Sequence, residues 1–223
     1  NLASVIPLEA PYIIYVETSS FCNLKCKFCP HYIDPESLNK KNMELEIFEK
    51  IIRGVRNFKN NLKILKFCGT GENLLNKQFP DMLKMARKSK KIEHIDLITN
   101  GLFINESNIE ILASNLDRII ISLEGLDEKE YKNFLLKNID FKKFRKNLEI
   151  FYKYKNRNVK IHIKIHSSAI KSLKDKDTFY KEFSTLADEV YIENIVNLWP
   201  EIESNLGIKT GHRFDSGELN EVK

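Results

Sequence analysis

Three cysteines, Cys22, Cys26 and Cys29, fall in the run Phe21-Cys-Asn-Leu-Lys-Cys-Lys-Phe-Cys-Pro30, a C-x3-C-x2-C spacing with Phe28 directly before the last thiol. One short loop therefore offers three soft ligands. A four-iron cluster wants four ligands. A loop that gives three leaves one iron open to a non-protein ligand, much as a catalytic zinc keeps one position open. Two other readings compete with this one. A structural zinc site closes with a second Cys or His pair at similar spacing; His31 is near, but no second short pair follows. Unpaired core thiols are the third reading. Cys68 stands at the end of an apolar run and reads as a buried thiol rather than a hydrogen-atom donor.

The loop resembles the signature of the radical S-adenosylmethionine (SAM) superfamily, C-x3-C-x-aromatic-C, with Cys22, Cys26, Phe28 and Cys29 in those places. Phe67-Cys-Gly-Thr-Gly-Glu-Asn-Leu-Leu-Asn76 is similar to the family's glycine-rich GGEP segment, with Asn73 where proline is usual. Ile98-Thr-Asn-Gly101 and Ile121-Ser-Leu-Glu-Gly125 resemble later segments of the branch that often carries a C-terminal SPASM or twitch extension. No cysteine of the kind such an extension needs follows Cys68, so the extension is expected to be absent from this chain. The resemblance implies a [4Fe–4S] cluster on Cys22, Cys26 and Cys29, whose open iron chelates the amino and carboxylate groups of SAM. An electron passed through the cluster then cleaves the sulfonium to methionine and a 5′-deoxyadenosyl radical, which takes hydrogen from a substrate. A small electron donor such as flavodoxin or ferredoxin is implied as partner. The substrate class stays open between a sugar or other small polar metabolite and a peptide.

Further expectations follow on that frame. Gly69 and Gly71 let backbone approach a ligand closely, and Thr70 completes the turn between them. Its carbonyls are expected to accept from the SAM ammonium, with Glu72 anchoring the segment or meeting the same charge. Phe28 is expected beside the adenine. Thr99, Asn100 and Ser122 are candidates for the ribose or the methionine carboxylate, although Thr99 and Ser122 also read as capping residues and Asn100-Gly101 as a common turn pair.

These residues need elements to place them. Apolar runs alternate with helical patterns: strands at 12–16, 62–67, 92–98, 118–123, 159–165 and 189–193, and helices near 45–58, 82–88, 107–115, 128–134, 141–151 and 177–187. Such alternation implies parallel strands with right-handed crossovers. The expected fold is α/β, a partial (β/α)6 barrel of parallel strands with helices outside, spanning 12–197. Residues 1–11 form an N-terminal segment, and 198–223 a linker or tail leading toward any further module. Each motif falls just after a strand, at the C-terminal edge where such sheets carry their sites.

The fifth strand alternates sharply. Val159, Ile161, Ile163 and Ile165 share one face; Lys160, His162, Lys164 and His166 share the other. With the apolar face toward the helices, the basic face lines the interior, and Lys164 and His166 meet the SAM carboxylate or an anionic substrate. A solvated sheet edge is the alternative.

The 223 residues suit one domain with a substantial core, and the 42% hydrophobic content is ordinary. A net charge of +5 does not indicate nucleic-acid binding. Positive charge gathers at 137–164, where ten Lys or Arg meet only Asp140 and Glu149. That is either a solvated helix face or a rim for an anionic partner. Few cysteines, no signal peptide and no apolar span point to a cytoplasmic protein away from membranes. A non-catalytic iron–sulfur electron carrier or SAM sensor is the rival from another class. Formation of methionine and 5′-deoxyadenosine separates the two.

Overall fold

The computed structural model describes residues 6, 8–135, 137–155 and 158–195; the tail read at 198–223 lies outside them. Six strands, β1 (Ile13–Val16), β2 (Leu62–Phe67), β3 (Ile92–Thr99), β4 (Arg118–Leu123), β5 (Lys160–His166) and β6 (Glu189–Glu193), form one sheet in that order. Every neighbouring pair is parallel. Among the described residues β1 and β6 are not bonded to each other, so the sheet is an open arc, the expected partial barrel.

Register explains the layers. Leu65, Phe67, Ile95, Leu97, Ile119, Ile121, Ile161 and Ile163 lie on one side of the sheet and are fully or almost fully buried. This side faces the helices: the Phe67 ring meets Phe48 of α2 (Leu45–Arg56) at 5.7 Å and Phe79 of α3 (Phe79–Lys88) at 5.1 Å. The intervening residues turn to the concave side, so Lys66, Asp96 and Arg118 stand in one row and Ser122, Lys164 and Tyr191 in another.

The remaining helices are α1 (Pro30–Ile33), α4 (Ile109–Asn115), α5 (Glu128–Leu135), α6 (Phe141–Tyr154) and α7 (Leu173–Phe183). Sequence periodicity finds all of them except α1, a single turn too short to show a period. It extends α2 to Phe58, but the helix stops at Arg56 and Phe58 packs on the core from the following turn. It starts α7 four residues late, because the helix is opened by Ser172, whose hydroxyl accepts from the Asp175 amide. Asp140 caps α6 in the same way through the Lys143 amide.

The basic stretch resolves into two parts. Lys142, Lys143 and Lys146 of α6 are exposed, the solvated helix face. Arg145 pairs with Glu182, and Lys155 and Lys160 with Asp188.

Candidate active site

The cysteine loop leaves β1 under tight restraint. The Thr18 amide and hydroxyl both donate to Asn73 Oδ1, at 2.9 and 2.8 Å. Asn76 Nδ2 donates to the Thr18 and Met43 carbonyls. The departure from proline at position 73 thus installs an acceptor for the residue that begins the loop. The Glu72 amide donates to the Phe21 carbonyl at 2.8 Å, and the Leu24 side chain anchors the middle of the loop in the core. The loop closes where the Cys29 amide donates to the Cys26 carbonyl, and α1 then starts on the Cys29 carbonyl.

All three thiols are half-buried and free of disulfides. Burial pushes the Cys22 thiol up to about 11, raises Cys26 well above the ordinary thiol value and raises Cys29 as well; the thiols also disfavour one another's ionisation. Such a group of thiols ionises when a metal supplies positive charge. Among the described residues no three His, Cys, Asp or Glu side chains converge on a single-ion site. A cluster does not ask for that convergence, since each thiolate takes a different iron. Three mutually close, partly desolvated soft donors fit a [4Fe–4S] cluster.

Beside the loop, the segment after β2 is held from two sides. Glu72 is buried; its carboxylate accepts from the Leu74 amide, the Thr99 hydroxyl and the Asn100 amide at 2.9–3.0 Å. Burial raises its pKa, and these donors oppose the rise. Of the two roles expected for Glu72, the geometry displays the anchor. Thr99 is drawn into the same knot, and its hydroxyl also accepts from the Gly101 amide. Asn100 Nδ2 reaches the cysteine loop, donating to Asn23 Oδ1 at 2.8 Å.

The glycines differ from expectation. A Cβ on Gly71 would stand 2.0 Å from the Ser19 carbonyl oxygen and 2.7 Å from Ser20 Cα. A Cβ on Gly69 would stand 2.3 Å from Glu17 Oε1. Both glycines are required by close approach of the chain to itself, before any ligand is considered.

On the other half of the arc, Phe28, Phe134 and His166 form an aromatic group. Phe134 stacks on His166 at 4.4 Å, and Phe28 lies 5.8 and 6.0 Å from the two. His166 Nδ1 is 2.6 Å from Ser168 Oγ. Its Nε2 faces Glu124 Oε2 at 3.5 Å, and neither atom has a closer hydrogen-bond partner. Burial lowers His166 to about 4 and raises Glu124 to about 8, so near neutrality the two meet as uncharged groups. The Glu124 carboxyl also lies beside the Cys26 thiol, close enough for each to influence the other's ionisation. Ser122 is half-buried on the concave side, one register step from Lys164.

The interior reading of β5 holds for Lys164 and His166, since neither stands in bulk solvent. The argument that these cations await an anion fails. Lys164 is ion-paired to Glu193, and His162 lies 3.2 Å from Glu189. The acids come from β6, whose Glu189 and Glu193 pair in register with His162 and His166.

Sequence reasoning passed over Glu17, Glu124 and Phe134; it noted His31 only as a lone neighbour of the cysteines and Asn73 only as a departure from proline. Glu17 and Glu124 were recoverable from strand alternation, since each stands two residues beyond a concave-side position, Tyr15 and Ser122. Phe134 gave no signal beyond ordinary helix patterning.

The sequence profile of the radical SAM superfamily matches residues 16–168. The chain belongs to that superfamily, and membership carries its cofactors, a [4Fe–4S] cluster and S-adenosylmethionine. The chain is 27% identical over 195 residues to a cysteine-type anaerobic sulfatase-maturating enzyme of Clostridium perfringens, covering 78% of this chain and 51% of that protein. It is 32% identical over 111 residues to a probable GTP 3′,8-cyclase of Methanococcus maripaludis, covering 50% and 36%. Among solved structures, native anSMEcpe with bound AdoMet superposes with a TM-score of 0.68 at 24% identity, over 86% of this chain and 54% of that one. The chain therefore spans about half, or less, of the relatives it matches. No helix among the described residues is long and apolar enough to cross a membrane.

Proposed function

We propose that this chain is the catalytic core of a radical SAM enzyme, with Cys22, Cys26 and Cys29 holding the cluster and SAM lying across the C-terminal edges of β1 to β5. When bound, the pair supplies reductive cleavage of the sulfonium and hydrogen abstraction by the resulting 5′-deoxyadenosyl group. The chain's own residues bind and orient. The turn at Gly69, Thr70, Gly71 and Glu72 presents backbone to the methionine end. Phe28 and His166 offer ring surface to the adenine. Asn100, Ser122 and Lys164 edge the same hollow, with Thr99 bracing Glu72 beneath it. Phe134 and the buried Glu124–His166 pair keep water from that end. A flavodoxin or ferredoxin class donor supplies the electron.

One observation carries this reading: the three thiols, the Glu72 knot and the concave ends of β4 and β5 converge at one edge of the arc. For substrate we favour a peptide side chain over a nucleotide. The alignment with the sulfatase-maturating enzyme runs along most of the chain, and Lys164 is already neutralised by Glu193 rather than free for phosphates. Anaerobic reconstitution followed by dithionite tests the core claim. The wild type should release methionine and 5′-deoxyadenosine in equal amounts, and Cys26→Ala none. A cluster-loaded wild type that binds SAM without cleaving it would make the chain a sensor.

A further inference from the structure

Glu17 is the first concave-side residue beyond β1, two positions past Tyr15, and it precedes the cysteine loop. One of its oxygens is fixed. Oε1 accepts from the Thr70 amide at 2.5 Å, the Thr70 hydroxyl at 2.8 Å and the Gly71 amide at 2.9 Å. Two successive backbone amides aimed at one point form an anion-binding nest, and here the chain's own carboxylate fills it. Gly69 lacks a side chain at the place where Glu17 passes.

The other oxygen is not fixed. Among the described residues Oε2 takes no hydrogen bond and is not sealed from solvent, and Glu17 belongs to no ion pair. The carboxylate lies close enough to the cysteine loop to act on Cys29 and to the following helix to act on His31. A carboxylate pinned by one oxygen and open at the other is a preformed acceptor for an N–H donor. The donor due at this edge, beside the Gly69–Gly71 turn, is the amino group of SAM.

We infer that Glu17 binds the cofactor, its Oε2 accepting an N–H from the amino group of SAM while Oε1 keeps the Gly69–Gly71 turn in shape. The inference rests on the proposed SAM site and adds a residue outside the segments that resemble the family's motifs.

Glu17→Gln separates the two oxygens' roles. The amide oxygen can still accept from Thr70 and Gly71, but the negative charge is gone. Equilibrium dialysis with the reconstituted protein reads Kd for three probes: SAM, S-adenosylhomocysteine, which keeps the amino group without the sulfonium charge, and 5′-methylthioadenosine, which lacks the amino-acid part. The variant should load wild-type iron, bind SAM and S-adenosylhomocysteine each about tenfold more weakly or worse, as loss of a charge-assisted bond requires, and bind methylthioadenosine unchanged. Weakening confined to SAM would move the contact to the sulfonium and overturn the assignment. Unchanged Kd for all three would overturn it outright. Should the variant fail to load iron, Glu17→Asp carries the test, because it keeps the charge but withdraws it by one methylene; it should weaken the first two probes alone. A wild type that binds no SAM would instead bring down the proposed function, and is distinguishable because it appears before any substitution.

Discussion

At the site edge the two halves of the arc handle buried charge in opposite ways; deeper in the sheet, Asp96 of β3 is ion-paired to Lys66 and Arg118. In the half built on β1 to β3, the site carboxylates Glu17 and Glu72 are held by backbone amides and by the hydroxyls of Thr70 and Thr99. In the half built on β4 to β6, Lys164 is answered by the opposite charge of Glu193, His162 lies against Glu189 with its pKa lowered by burial, and Glu124 and His166 meet as uncharged groups. A carboxylate satisfied by amides and hydroxyls is not tied to a cation. A lysine satisfied by a carboxylate has no net field to offer. The first half is therefore suited to the cationic cofactor and the second to a wall around it.

The largest test removes the cluster from the first half. Cys26→Ala should take the reconstituted protein from about four irons per chain to far fewer and abolish 5′-deoxyadenosine formation, as read by iron analysis and chromatography. Full iron in this variant, with loss in Cys68→Ala, would misplace the site.

Next comes Gly71→Val. Its added carbons would run into the Ser19 and Ser20 backbone, which leads into the loop. Overpacking against backbone costs about 1–3 kcal/mol or more, and iron loading should fall together with SAM binding. A folded variant with full iron and weakened SAM binding would show that the glycine faces the ligand after all.

In the second half, His166 sets an acid limit. Its folded pKa of about 4 lies below the ordinary value of 6.5, so the unfolded chain takes the proton first. Stability from the neutral ring is complete above about pH 6.5 and is lost as pH falls through 4, on the order of 2–3 kcal/mol. His166→Phe keeps a ring against Phe134 and should flatten the pH 4–6.5 limb of urea midpoints measured on the apo protein. An unchanged limb would remove His166 as its source.

The smallest effect is expected at Lys164→Met. It removes the cation paired with Glu193 in a partly buried place and should cost about 1–2 kcal/mol, with Glu193→Gln restoring most of it in a double-mutant cycle. If Lys164→Met instead leaves stability intact and lowers SAM cleavage tenfold, the wall takes part in binding.

Much of this was readable beforehand. Strand–helix alternation was clear because Leu62–Phe67, Arg118–Leu123 and Lys160–His166 are short apolar or alternating runs followed by turn residues. The cysteine loop was readable because its spacing is local. What escaped were long-range polar contacts. Nothing near Asn73 says that its oxygen serves Thr18, 55 positions away, and nothing near Gly69 says that Glu17 crosses there. The basic face of β5 misled because its partners are on β6, some 27–29 residues later; a strand read alone cannot display its neighbour's charges.

The straps on the cysteine loop bear on how the protein survives before it is loaded. Asn73, Asn76 and Glu72 hold the chain leading into the loop without metal, and Leu24 anchors its middle. The exposed Lys25 therefore sits on backbone that cannot readily extend into a protease cleft. The apo chain should resist trypsin at this bond, and the waiting thiols persist long enough to meet their iron.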